Sequence, residues 1–175
     1  MTNARPWSHG RTALLYRDNG RKLVLALKHG DRHDVVRPAA LWMAHAAQPL
    51  LQADTLIVPV PLHWLRMVKR RFNQAALLAS AVAQEVGRPC CPDVLQRPRA
   101  TPSLGGLGRD ARHAAVQGRI VVNPRRRHRI AGRPVLLVDD VMTSGATLMV
   151  AAQALLQGGA ADVCILTLAR AAKET

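Results

Sequence analysis

Cysteine, aromatic side chains and acidic groups are all in short supply, and each shortage closes off a class of protein. Three cysteines, two of them adjacent as Cys90-Cys91, supply neither a disulfide framework nor the CxxC spacing of a zinc site. A reducing compartment is expected, and with it a cytoplasmic location. Residues 1–11 contain no apolar signal core and no stretch reaches membrane-spanning length, so no membrane insertion is expected. With three Trp, one Tyr and one Phe, the core has to be aliphatic, built from Leu, Val and Ala. Acids number 11 against 25 Lys and Arg, leaving a formal charge of +14. That balance suits a polyanion partner: a diphosphate compound, a nucleic acid, or both. Basic residues cluster at 66–71, 97–99 and 125–129, with no interleaved aromatic residues for stacking on bases.

What is present is organised around one stretch near the end. Val135 to Val138 is an apolar run suited to a buried parallel strand, and it ends on two adjacent carboxylates, Asp139 and Asp140. A loop of small, hydroxylated residues follows, Thr143-Ser144-Gly145-Ala146-Thr147. A helix is then expected from Leu148 to Gln157, ended by Gly158-Gly159. Strand, loop and helix together form a phosphate cradle, because the amides that open a helix lack partners and the helix dipole favours an anion there. Gly145 is expected to let the backbone approach the ligand, while Thr143, Ser144 and Thr147 add hydroxyl donors. The two aspartates repel phosphate but suit ribose hydroxyls or a magnesium ion, at the strand end where open α/β sheets place ligands.

Along the rest of the chain, residues 12–17 form a short apolar run expected to be a strand. Residues 21–29 show helical spacing of Leu23, Val24 and Leu27. Asp34 is the expected cap of a second helix running to about Gln48, with Pro49 at its end. Residues 54–60 read as a strand stopped by Pro59 and Pro61. Phe72-Asn73-Gln74 opens a helix to about Val86, and Gly87-Arg88-Pro89 terminates it. Short strands are expected at Val94-Leu95 and at 118–122, a short helix at 109–116, a basic turn at 123–129, and a last strand, 162–168, that closes the sheet. The loop from Arg97 to Arg112 is long enough to serve as a lid. Alternating strands and helices imply a mainly parallel sheet flanked by helices, in a single domain spanning 1–175.

Residues 135–147 resemble the phosphoribosyl-diphosphate (PRPP) motif of type I phosphoribosyltransferases. The resemblance widens along the chain: Tyr16, Leu27-Lys28-His29-Gly30-Asp31, Val58-Pro59-Val60-Pro61-Leu62-His63, Phe72-Asn73-Gln74-Ala75, Thr101 with Arg109 and Arg112, and Leu168-Ala169-Arg170 occur in order. Together they look like the ComF family of competence-associated phosphoribosyltransferase-like proteins. That resemblance implies a type I phosphoribosyltransferase fold with a small hood, residues 1–53 contributing partly to it and 54–170 forming the core. It also implies a role in DNA uptake alongside competence and recombination proteins, with single-stranded DNA as a further partner. Three departures stand out. Residues 1–11 carry no cysteine, so the family's N-terminal zinc ribbon is not expected. Arg71 stands where the family favours glycine, and Leu104 and Ala115 replace expected amides in the lid region.

The implied chemistry is displacement of diphosphate from PRPP by a base nitrogen. Asp139 and Asp140 would hold the ribose hydroxyls and offset the cationic transition state, with Mg2+ bridging diphosphate and ribose. Val141, Met142, Thr143, Ser144, Gly145, Ala146 and Thr147 would grip the 5′-phosphate. Arg66, Lys69 and Arg70 are the candidate diphosphate ligands, and Arg109 and Arg112 the candidate lid residues. The alternative is a non-catalytic competence adaptor that binds single-stranded DNA and partner proteins and keeps the PRPP loop as a phosphate or nucleotide sensor.

Overall fold

A computed structural model describes residues 4–29, 33–62, 72–98 and 119–171. Its main sheet has four strands in the order β1-β6-β5-β2, all parallel: β1 His9–Leu15, β2 Leu56–Pro59, β5 Pro134–Met142 and β6 Asp162–Arg170. A separate antiparallel pair joins β3 Leu95–Gln96 to β4 Val121–Val122. Helices α1 Asp18–Lys28, α2 Val36–Ala47, α3 Gln74–Val86 and α5 Ala146–Gln157 flank the sheet, and α4 Arg127–Ile130 is a single turn.

The two-residue period of the strands sorts the core into two layers. Val135, Leu137, Val163 and Ile165 face α5, where they meet Leu148, Ala151 and Leu155. Leu136, Val138, Leu166 and Leu168 face the opposite way, onto Val24 and Leu27 of α1, Met43 of α2, and Leu78 and Val82 of α3. Burial on both faces explains why β5 and β6 are almost unbroken apolar runs. It also revises the expectation that residues 162–168 close the sheet: among the described residues β6 lies inside it, between β1 and β5. β1 belongs to the N-terminal stretch expected to contribute to a hood, and it pairs along β6 from His9 to Leu15, with the Thr12 and Thr167 hydroxyls hydrogen-bonded at 2.8 Å.

Local signals placed most elements to within a turn. Asn73 caps α3 by accepting a hydrogen bond from the Ala76 amide, and Gly87 ends it in the left-handed conformation at φ 63°. Asp34 does not cap α2. It lies in a 3-10 turn, His33–Val35, and the N-cap is Val35 without a side-chain bond. The turn continues the chain into α2 in helical conformation, which leaves no extended residue to act as a cap. Pro49 sits within a second 3-10 turn, Gln48–Leu50. The basic stretch 123–129 is a 3-10 turn, Pro124–Arg126, followed by α4.

Arginines of this stretch hold the fold together. Arg126 donates to Asp93 at 2.8 Å and Arg127 to the Gly158 carbonyl at 3.2 Å. Arg133, just beyond, grips the Asp54 carbonyl through two nitrogens at 3.1 and 2.9 Å. Part of the positive charge is thus structural. Among the described residues, no helix is long and apolar enough to cross a membrane.

Candidate phosphoribosyl site

The carboxyl end of β5 opens into a cleft of about 270 Å³. β5 does not stop at the acids, as the apolar run alone suggested. It continues to Met142, paired with β6 through Val141↔Ala169 and Met142↔Arg170. Asp139 and Asp140 are therefore strand residues, and that holds their backbone rigid. Each carboxylate accepts a hydrogen bond from the next amide, Asp139 from Asp140 N and Asp140 from Val141 N, both at 2.8 Å. Burial and the neighbouring Asp140 charge raise the pKa of Asp139 well above the ordinary carboxylate range, against a lesser pull from Arg97. Lys28, at the end of α1, brings its ammonium to 3.9 Å from Asp140.

Thr143 and Thr147 line the cleft beside the acids and are exposed. Ser144 is exposed too, its hydroxyl accepting from the Ala146 amide at 3.3 Å. Gly145 is buried at the N-cap of α5 with φ 83°. A Cβ there would lie 3.4 Å from Met142 and 3.6 Å from Trp7, on the core side. The left-handed backbone calls for glycine there. Met142 is buried in the same layer as Trp7, so its side chain serves the core, while Val141 faces the cleft.

The opposite wall comes from distant parts of the chain. Val60, Pro61 and Leu62 follow β2, Asn73 and Gln74 head α3, and Arg97 follows β3 and donates to the Pro61 carbonyl at 2.8 Å. Asn73 also donates to the Val60 carbonyl at 3.1 Å, which ties the head of α3 to the end of β2. Tyr16, after β1, completes the lining. Five polar cleft residues are given no site role by the sequence reading: Tyr16, Lys28, Asn73, Gln74 and Arg97. Tyr16, Lys28, Asn73 and Gln74 lay within segments of the family resemblance, which was the available signal; Arg97 had only its place in a basic cluster. Arg66, Lys69, Arg70 and Arg71, and likewise Arg109, Arg112, Leu104 and Ala115, lie outside the described residues.

The donor set bears on a metal. Among the described residues, no cluster of three or more His, Cys, Asp or Glu side chains could hold one. Asp139 and Asp140 would be the residues to hold a magnesium ion, a cation that two carboxylates suit when it keeps several of its waters. The cysteines stand apart from this chemistry: burial and the neighbouring Cys91 push the Cys90 thiol up to about 11.

Comparison with known proteins bears on the family and the fold. The profile of the phosphoribosyl transferase domain matches residues 73–175. DNA utilization protein YhgH of Escherichia coli (strain K12) is 32% identical over 171 residues, covering 94% of this chain and 73% of that protein. Competence protein F of Haemophilus influenzae is 30% identical over 121 residues, covering 69% of this chain and 52% of that protein. Among solved structures, the allosteric regulatory enzyme of purine biosynthesis matches with a TM-score of 0.54 at 18% identity, over 82% of this chain and 30% of that one. The glutamine PRPP amidotransferase of B. subtilis matches with a TM-score of 0.50 at 18% identity, over 81% of this chain and 30% of that one. The structural matches speak to the fold alone. With the profile and the sequence relatives, the chain belongs to the family of competence protein F and DNA utilization protein YhgH, within the type I phosphoribosyltransferase superfamily.

Proposed function

We propose that the cleft binds PRPP with magnesium and transfers the phosphoribosyl group to a base nitrogen, in a protein that serves DNA uptake and utilization. One observation carries this reading. A rigid pair of carboxylates and the exposed head of α5 meet in a single cleft, at the spacing of one loop. The first-turn amides of α5, with Thr143 and Thr147, suit the 5′-phosphate. Asp139 and Asp140 suit the ribose hydroxyls and favour the positive charge that grows on the anomeric carbon. In the reaction the bond from that carbon to diphosphate breaks, and diphosphate leaves with the electron pair. A bond from the base nitrogen forms, and the nitrogen gives up its proton. Magnesium, when bound, neutralises charge on the leaving diphosphate. Lys28 and Arg97 add fixed positive charge at the cleft wall, where a phosphorylated ligand would lie.

The names of the relatives support a place in handling incoming DNA, and the charge of +14 favours a polyanion partner. The adaptor reading rests on that charge. Thermal shift with PRPP and magnesium tests the site: the expected result is stabilisation of the native chain that disappears in Asp139→Asn with Asp140→Asn. Diphosphate release across a panel of nucleobases then tests turnover. A chain that shows no PRPP stabilisation, yet binds single-stranded DNA with a steep salt dependence, would establish the adaptor instead.

A further inference from the structure

Among the described residues, one buried amide nitrogen in the cleft has no bonding partner, and it bears on how the far end of the ligand is recognised. Gln74 opens α3, is 2% exposed and lines the cleft, yet among the described residues its Nε2 meets no hydrogen-bond acceptor. Its neighbour is the reverse case. Asn73 has both ends of its carboxamide engaged, donating to the Val60 carbonyl and accepting from the Ala76 amide. A sealed, unbonded amide is destabilising in the free protein, because it has given up its water and gained nothing. Such a group persists at a site where something arrives to satisfy it.

The direction follows from the two helices that open on this cleft. α5, of 12 residues, starts beside the acids and packs in one layer; α3, of 13 residues, starts across from it and packs in the other. Both helix starts favour negative charge. A ligand held by a phosphate at α5 and by its hydroxyls at Asp139 and Asp140 extends toward the end of β2 and the head of α3. An uncharged donor suits that position, since it binds an anionic oxygen without forming an ion pair with the acids next to it.

We infer that the Gln74 Nε2 donates to an oxygen of the substituent on the anomeric carbon, so that Gln74 distinguishes a 1-diphosphorylated ribose 5-phosphate from ribose 5-phosphate. This rests on the function proposed above. The test is calorimetric titration of the full chain with PRPP and magnesium, and separately with ribose 5-phosphate, for the native protein, Gln74→Leu and Gln74→Met. PRPP affinity is expected to fall about tenfold in both variants. Ribose 5-phosphate affinity should hold, which also certifies folding, and the melting temperature of the free protein should be equal or higher because the unbonded amide is gone. Unchanged PRPP affinity, or equal losses with both ligands, would overturn the role of Gln74 while leaving the cleft assignment standing. Failure of the native chain to bind either ligand would overturn both.

Discussion

Asp93 and Asp139 are both carboxylates close to a strand, and the fold treats them in opposite ways. Asp93, before β3, accepts from Arg126 at 2.8 Å, and that hydrogen bond holds its carboxyl below the ordinary range. Asp139 sits in the cleft with a second acid as its sequence neighbour, and burial with that charge pushes it up. Asp93 is arranged to favour its own charge. Asp139 sits where burial and a second acid make its charge unfavourable. The difference separates an acid whose charge the fold offsets from one whose charge it leaves unfavourable, and it follows from which cations the fold supplies and how closely.

The largest effect that can break this contrast is removal of both cleft acids. Asp139→Asn with Asp140→Asn should weaken PRPP–magnesium binding about hundredfold, since each charged hydrogen bond contributes about 1.5–3 kcal/mol. The free protein should stay folded, with calorimetry and circular dichroism as the paired readings. Retained affinity would place the ligand elsewhere.

Next is the pH response of Asp139 alone. A carboxyl whose folded pKa is raised binds its proton more tightly when folded, so stability is greatest in acid and falls as pH climbs from the ordinary carboxylate value through the raised one. Asp139→Asn should flatten that fall and raise the melting temperature at neutral pH by about 3 °C, equivalent to about 1 kcal/mol for a chain of this size. A variant with the native pH profile would show that the acid is not strained.

Lys28→Met removes an ammonium that offsets Asp140 across 3.9 Å. As both side chains are partly exposed, neutral-pH stability should drop by only about 0.5 kcal/mol, read from urea midpoints. The smallest change is expected at Asp93. Its lowered pKa contributes stability above the ordinary carboxylate value that is lost as pH falls through the lowered one. Asp93→Asn should therefore leave the acid end of the stability profile nearly unaltered, show a slight loss at neutral pH, and leave PRPP binding untouched. A binding defect there would mean that the two acids are coupled through the fold.

Much of one half of the site is legible in the sequence. The acids, the hydroxylated turn and α5 are consecutive, and local chemistry decides their arrangement: an apolar run for a buried strand, a glycine for the left-handed residue, a helix-forming stretch after it. Asn73 and Gly87 were readable as the bounds of α3 for the same reason. What the missing Cβ of Gly145 would meet, Met142 and Trp7, depends on what packs behind the turn and is not recorded locally. The central position of β6 was equally hidden. A final strand can pair at an edge or between two others, and the sequence of the strand records only that both its faces are buried.

By itself, then, the chain's order of residues determined the α/β class, the pair of acids on β5 and the hydroxylated turn that opens α5, because short-range sterics and periodicity govern them. Tertiary structure alone decided the other wall of the cleft: Lys28 against Asp140, Arg97 on the Pro61 carbonyl, and Gln74 buried with its Nε2 unbonded among the described residues. Those residues come from segments far apart along the chain, and only closure of the parallel sheet brings their ends to one rim.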